Sequence, residues 1–270
     1  MRQVVLAVPN ISEGRDADKI ARVAGTDALL DVHFDPDHNR SVLTYGAEPR
    51  PLLEACYAMI ERAVVELDIS SHSGVHPRSG VVDVLPFVPY RADEDELRAL
   101  VSDLISRIEQ GLSIPVYTYG RASPDSRSLP DLRRALRDDP PSPHPTAGVI
   151  CVGIRDPLIA FNVNCLGSLD DARRAARDLR SFPGVRALGL QLASRREVQL
   201  SMNLIDLEKT GPARAFEHAI DAARAHSLQL IDCEVAGLVP QSTRAEFSRL
   251  PLRWPVRTIE EALGTDAVGA

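Results

Sequence analysis

The sequence predicts a mixed α/β (α+β) chain built from two successive β-α-β-β-α-β units. Three observations predict it. Apolar runs of strand length alternate with segments of helical spacing. Turn and capping residues fall between them. The same order of elements also returns after a proline-rich stretch near the middle of the 270 residues.

Val4 to Val8 reads as a short buried strand, and Ser12 or Asp16 caps a helix running to about Ala24. Leu29 to Phe34 is a second strand, and Arg40 to Tyr45 a third, reached through the turn Asp35-Pro36-Asp37-His38. Pro49 and Pro51 open a helix whose apolar positions Leu52, Leu53, Cys56, Met59, Ile60 and Val64 keep helical spacing. A strand from Val81 to Val88 completes the ferredoxin-like order. A helix from Asp93 to about Gln110 and a strand from Pro115 to Tyr119 extend it. Asp138 to Pro145, with four prolines and no apolar residue, marks a linker or rigid turn. The order then repeats. Leu158 to Asn164 is a strand, Ser168 starts a helix to about Leu179, and Val185 to Leu192 and Glu197 to Asn203 are strands. Pro212 opens a helix to about Ala225, and Leu228 to Asp232 is a further strand. The expected subdomains are 1–155 and 156–270, and a cleft between two such lobes is a natural ligand site.

Composition narrows the function. A hydrophobic fraction of 44% with 26% charged residues is that of a soluble globular protein. The net charge of −7 argues against a nucleic-acid partner or a membrane surface. Lys19 and Lys209 are the only lysines, and neither follows a glycine-rich loop, which excludes a P-loop. Cys56, Cys151, Cys165 and Cys233 form no C-x-x-C pair, so neither structural zinc nor a disulfide framework is expected. No segment approaches the ~18 apolar residues of a membrane span. The N-terminus leads straight into a strand rather than a signal peptide, so the expected compartment is the cytoplasm.

The chemistry concentrates between Ser70 and Gly80, where histidines, serines, glycines and Arg78 share one turn-rich loop before a buried strand. His76 is the candidate acid/base, since imidazole takes and returns protons near neutral pH. Asp83 interrupts an apolar run, where an unpaired carboxylate is costly. Its expected partner is His76, His72 or Arg78. The alternative is a loop histidine that only shapes the turn. His72 and His76 stand four apart, but Gly74 and Pro77 argue against a helix, and no H-E-x-x-H pattern occurs, so no metal is expected. A metal-assisted hydrolase using His72, His76 and Asp83 remains a third reading.

Other candidates lie elsewhere. Asn10 and Glu13 sit in the turn after the first strand, where α/β folds collect ligand groups. Asn39 and Arg40 begin a strand at a turn. Asn162 and Asn164 alternate with Phe161 and Val163, so both amides face one side of a strand and can read a heterocycle or carboxylate edge. For each of these, ordinary turn chemistry or a polar solvent face is the alternative.

Together the motifs resemble the formiminotransferase domain, the glutamate formimidoyltransferases of histidine breakdown, in the single-domain form without a cyclodeaminase. The blocks are Val8-Pro9-Asn10-Ile11-Ser12-Glu13-Gly14-Arg15, Asp37-His38-Asn39-Arg40 and Gly74-Val75-His76-Pro77-Arg78-Ser79-Gly80 with Val82-Asp83-Val84 and Pro86-Phe87. Later blocks are His144-Pro145-Thr146-Ala147-Gly148, Phe161-Asn162-Val163-Asn164, Val198 to Leu204 and Glu234 to Pro240. The resemblance implies two ferredoxin-like subdomains, tetrahydrofolate as co-substrate in a groove between them, and a homodimer. It implies transfer of a formimino group between N-formimino-L-glutamate and N5 of tetrahydrofolate, with His76 as acid/base. In that setting Arg78, Arg40 or Arg155 would hold glutamate carboxylates, and Asn10, Asn162 and Asn164 would read the pterin. The alternatives are a folate- or glutamate-binding paralogue without transferase activity, and an enzyme that moves a formyl group.

Overall fold

A computed structural model describes residues 3–75, 78–138 and 142–264. The chain divides into two compact units, Met1–Asp156 and Pro157–Ala270.

In the first unit, β1 (Val4–Ala7) and β2 (Asn10–Ile11) act as one strand broken at Pro9, and both pair antiparallel with β4 (Arg40–Ala47). The helix α1 (Ala17–Ala24) is capped by Asp16, whose carboxylate accepts the Lys19 N–H at 3.0 Å. Ser12, the other capping candidate, instead donates to the Gly80 carbonyl at 2.8 Å. Then follow β3 (Leu29–Asp35), α2 (Pro49–Glu66), β5 (Val82–Arg91), α3 (Glu94–Leu112), β6 (Val116–Gly120), α4 (Leu129–Asp138) and β7 (Ile150–Ile154). β3 pairs with the outer edge of β4, and β5 with the other side of β1 and β2. These strands are all antiparallel, and the first lies in the middle, as the predicted β-α-β-β-α-β order requires. β7 and β6 then extend the sheet parallel to β5.

Strand alternation sorts the faces. Leu43, Tyr45, Leu85, Phe87 and Val152 are buried against α1, α2 and α3. Val84 and Cys151, their immediate neighbours in sequence, belong to a smaller cluster on the opposite face, closed by Tyr119 and by Leu132 of α4. β5 carries a bulge at Asp83: Ile11 pairs with Val82, but the adjacent Asn10 pairs with Val84. The extra residue leaves the ladder and its side chain is re-aimed.

Two elements of this unit, α4 and β7, were not expected from periodicity. The segment read as a linker joins them inside the first unit: α4 ends at Asp138, and His144 exchanges backbone hydrogen bonds with Gly148 just before β7. Residues 139–141 of that segment lie outside the described residues.

The second unit contains β8 (Ile159–Leu166), α5 (Leu169–Leu179), β9 (Val185–Leu192), β10 (Glu197–Leu204), α6 (Pro212–Ala225) and β11 (Gln229–Ala236). The strands run antiparallel in the order β11-β8-β10-β9, again with the first strand inside. Ser168 caps α5 as predicted. Phe161, Val163, Val198 and Leu200 face the alanine-lined sides of α5 and α6. Phe161 is fully buried and meets Phe216 and Phe247 edge-on, with ring centres 6.5 and 6.1 Å away. Phe161→Ala is expected to destabilise this unit by about 3–5 kcal/mol, read as a lowered urea midpoint. A short helix, α7 (Ile259–Ala262), follows with a capping box from Thr258 and Glu261. Among the described residues no helix is long and apolar enough to cross a membrane.

Candidate active site

Three segments of the first unit meet at Asn39. The β3–β4 turn places Asn39 at φ 46°, a left-handed conformation that asparagine tolerates. The Gly14 N–H donates to Asn39 Oδ1 at 2.9 Å, which fixes the amide orientation. The Asn39 nitrogen therefore donates to the Ser73 carbonyl at 2.9 Å and to His72 Nδ1 at 3.3 Å. His72 thus accepts at Nδ1, and its neutral form carries the proton on Nε2. Burial and the Arg78 charge hold its pKa below that of a free imidazole, so it is uncharged at neutral pH. Ser41 ties in the same loop by donating to the Glu13 carbonyl at 2.5 Å. A cavity of about 400 Å³ opens beside this node, lined by Ser12, Glu13, Asn39, Asp68, His72 and Thr146.

Close approach explains the glycines. A Cβ on Gly14 would lie 2.3 Å from the Arg40 nitrogen and the Asp35 oxygen, and one on Gly74 would lie 2.5 Å from the His38 carbonyl. Gly14→Ala is accordingly expected to lower stability by about 1–3 kcal/mol in urea denaturation.

The second feature is a charge cluster on the sheet face that carries Val84. Asp83 is 1% exposed. Its Oδ1 accepts the Ser79 N–H at 2.8 Å, and its Oδ2 pairs with Arg133 of α4 and stands 4.0 Å from Arg78 Nη1. The partner of Asp83 is therefore a pair of arginines, of which the sequence reading named only Arg78, and not His72. Arg78 also donates through Nη2 to the His38 carbonyl at 3.1 Å. Burial, and then the neighbouring Arg40 charge, push the Arg78 pKa down to about 10, with Arg133 adding to the effect and Asp83 opposing it. Arg40 feels the same set: burial lowers its pKa, with Asp83 opposing and Arg133 reinforcing.

The remaining candidates are more dispersed. His76 and Pro77 lie outside the described residues. Glu13 accepts the backbone N–H groups of Arg15 and Asp16 at 2.7 and 3.1 Å, a turn-closing role. Asn10 donates to the Val8 carbonyl at 3.2 Å. Arg155 follows β7 and donates to the Asp156 carbonyl at 2.8 Å. Burial pushes the cysteine thiols up, to about 11 for Cys165 and about 12 for Cys151 and Cys233, so none is a thiolate at neutral pH. Among the described residues no group of three or more His, Cys, Asp or Glu is placed to hold a metal ion.

In the second unit Asn162 and Asn164 face away from the helices, beside Gln199, Glu234 and Asp232. Asn164 donates to Asp232 at 2.7 Å and accepts from Gln199 at 3.0 Å, and Gln199 also donates to Glu234 at 2.9 Å. Arg253 closes the row on Asp232 at 2.8 Å. Gln199, Glu234 and Asp232 escaped the sequence reading because only strand pairing brings them beside the asparagines.

Fold and site together define a two-unit α+β protein with a neutral loop histidine and an arginine-rich cluster drawn from β4, the loop before β5 and α4, a setting suited to a small anionic substrate. Residues 4–155 match the N-terminal subdomain of the formiminotransferase domain, and residues 160–249 match the formiminotransferase domain. A glutamate formimidoyltransferase of Thermoplasma acidophilum is 34% identical, with 93% of this chain and 92% of that protein aligned. One of Streptococcus pyogenes is 33% identical over 89% and 90%. The formimidoyltransferase-cyclodeaminase of Sus scrofa is 34% identical over 89% of this chain, which spans 51% of the larger protein. A microcompartment protein of Desulfitobacterium hafniense aligns over 87% of this chain and 94% of its own, at 9% identity and a TM-score of 0.24, too low to bear on the fold. The chain belongs to the formiminotransferase domain family.

Proposed function

We propose that the protein transfers a formimino group between N-formimino-L-glutamate and N5 of tetrahydrofolate. One observation carries the reading: similarity to two glutamate formimidoyltransferases runs nearly end to end in both directions. The cationic cluster beside the His76 loop supports it, because the donor substrate carries two carboxylates.

In the transfer, N5 attacks the formimino carbon and a new C–N bond forms. His76 takes the N5 proton and returns it to the glutamate nitrogen as the old C–N bond breaks. The products are 5-formiminotetrahydrofolate and glutamate. Arg78, Arg40 or Arg155 hold the glutamate carboxylates, since guanidinium pairs bidentately with them. His72 and Asp83 support the loop rather than the proton transfer. Asn10 offers its amide to the pterin. The same reading carries tetrahydrofolate as co-substrate without a metal, ferredoxin-like subdomains, a homodimer, the cytoplasm and a place in histidine degradation.

The test combines calorimetry with tetrahydrofolate and a glutamate-release assay. Release of glutamate from formiminoglutamate only when tetrahydrofolate is present supports a transferase. Folate binding without release would instead identify a binding paralogue.

A further inference from the structure

We infer that Arg40, Arg78 and Arg133 form a dicarboxylate clamp, with Arg133 as the member that sets specificity for a two-carboxylate substrate. The inference rests on the transferase reading and deepens it. It replaces the open choice among Arg78, Arg40 and Arg155 with a defined set, and adds a residue from α4.

The observations are geometric. Arg78 and Arg133 meet one buried carboxylate and the Arg40 charge acts on the same group, which leaves an excess of positive charge even when the more distant Asp35 is counted. Asp83 is already engaged, by the Ser79 N–H on one oxygen and by Arg133 on the other. The Arg78 side chain is only 5% exposed, yet among the described residues its Nε and Nη1 have no hydrogen-bond partner, and neither does Arg133 Nε. Buried donors left unpaired are rare and costly, and like charges held together raise that cost. An anion with two carboxylates answers both, since each can take a forked pair of N–H groups. A monocarboxylate offers one forked pair of acceptors and would leave the donors of the other arginine unpaired. Arg155 is set apart because its Nη1 is turned to the Asp156 carbonyl.

The test uses the whole chain, with glutarate and butyrate as probes. In calorimetry and in competition with formiminoglutamate, glutarate should bind about 10-fold or more tighter than butyrate, from the second charged hydrogen-bonded pair. Arg133→Met should weaken glutarate and raise the KM for formiminoglutamate by about 10–100-fold. Turnover and the KM for tetrahydrofolate should stay within about twofold, a split that general loss of structure would not give. Arg133→Lys keeps the charge beside Asp83 and should recover part of the glutarate affinity. If Arg133→Met does not fold, Arg133→Lys and Arg40→Met are read in the same way, each against wild type. Equal glutarate affinity in variants and wild type, or no glutarate binding to wild type, overturns the clamp. The two readings fail separately: glutarate binding lost with Arg133 but no formimino transfer keeps the clamp and removes the transferase, and the converse removes only the clamp.

Discussion

His76→Ala lowers turnover by about 10²–10⁴-fold while tetrahydrofolate affinity stays nearly unchanged, as expected when a general acid/base is removed. Imidazole is the side chain that exchanges protons most readily near neutral pH. The residues flanking the position are held on either side. On the N-terminal side, the Ser73 carbonyl is held by Asn39, and Gly74 fits against the His38 carbonyl with no room for a side chain. On the C-terminal side, Arg78 donates to the same His38 carbonyl, and the Ser79 N–H is fixed by Asp83. The described residues on both flanks are thus fixed, and acid/base catalysis calls for such a firmly held surrounding shell. The neighbouring His72 is committed to Asn39 as a neutral acceptor and cannot replace it, so no large residual rate should remain. Single-turnover kinetics with equilibrium folate binding separates the two effects. A rate within a few-fold of wild type would remove His76 from the chemistry.

Asp83→Ala is expected to lose about 3–5 kcal/mol of stability in chemical denaturation, as much as Phe161→Ala. Asp83 does not gain this weight simply from forming an ion pair, because burying a pair is expensive in itself. The loss comes from what remains: Arg78 and Arg133, with Arg40 nearby, held together with only the more distant Asp35 as counter-charge. Two signs distinguish this from ordinary loss of packing. Asp83→Asn keeps an acceptor for Ser79 but should be nearly as destabilising, because the charge is gone. Adding Arg133→Met to Asp83→Ala should restore part of the stability, a non-additivity that a double-mutant cycle measures. The exposed pair Glu54–Arg107 provides the contrast, since breaking it should cost no more than about 1 kcal/mol.

Much of this was legible in the sequence, for identifiable reasons. Both β-α-β-β-α-β orders followed from apolar periodicity. Individual ends followed from caps such as Ser168 and from Pro49 and Pro212 at helix starts. Asp83 stood out as a carboxylate in an apolar run, and the turn chemistry around Asn39 and Gly14 drew attention to segments that the structure brings together. The missing parts depended on distance along the chain. The partner of Asp83 is Arg133, fifty positions on, in a helix whose apolar residues Leu129, Leu132 and Leu136 are sparse among charges. The bulge that re-aims Asp83 is a property of pairing between β2 and β5, which no local pattern in either strand carries. The same holds for Gln199 and Glu234, which only strand register brings beside Asn164 and Asn162.

The central claim is tested most directly by following the transferred carbon. N-formimino-L-glutamate labelled with ¹³C at the formimino carbon is incubated with tetrahydrofolate and the purified chain, and the carbon is observed by NMR, with N-formyl-L-glutamate as a parallel donor. The account predicts that the label leaves glutamate and appears on N5 of the folate as a formimino carbon, at a rate that His76→Ala cuts by about 10²–10⁴-fold, while the formyl donor is spent slowly or not at all. Label that remains on glutamate in the presence of bound folate, or that moves only from the formyl donor, would contradict it.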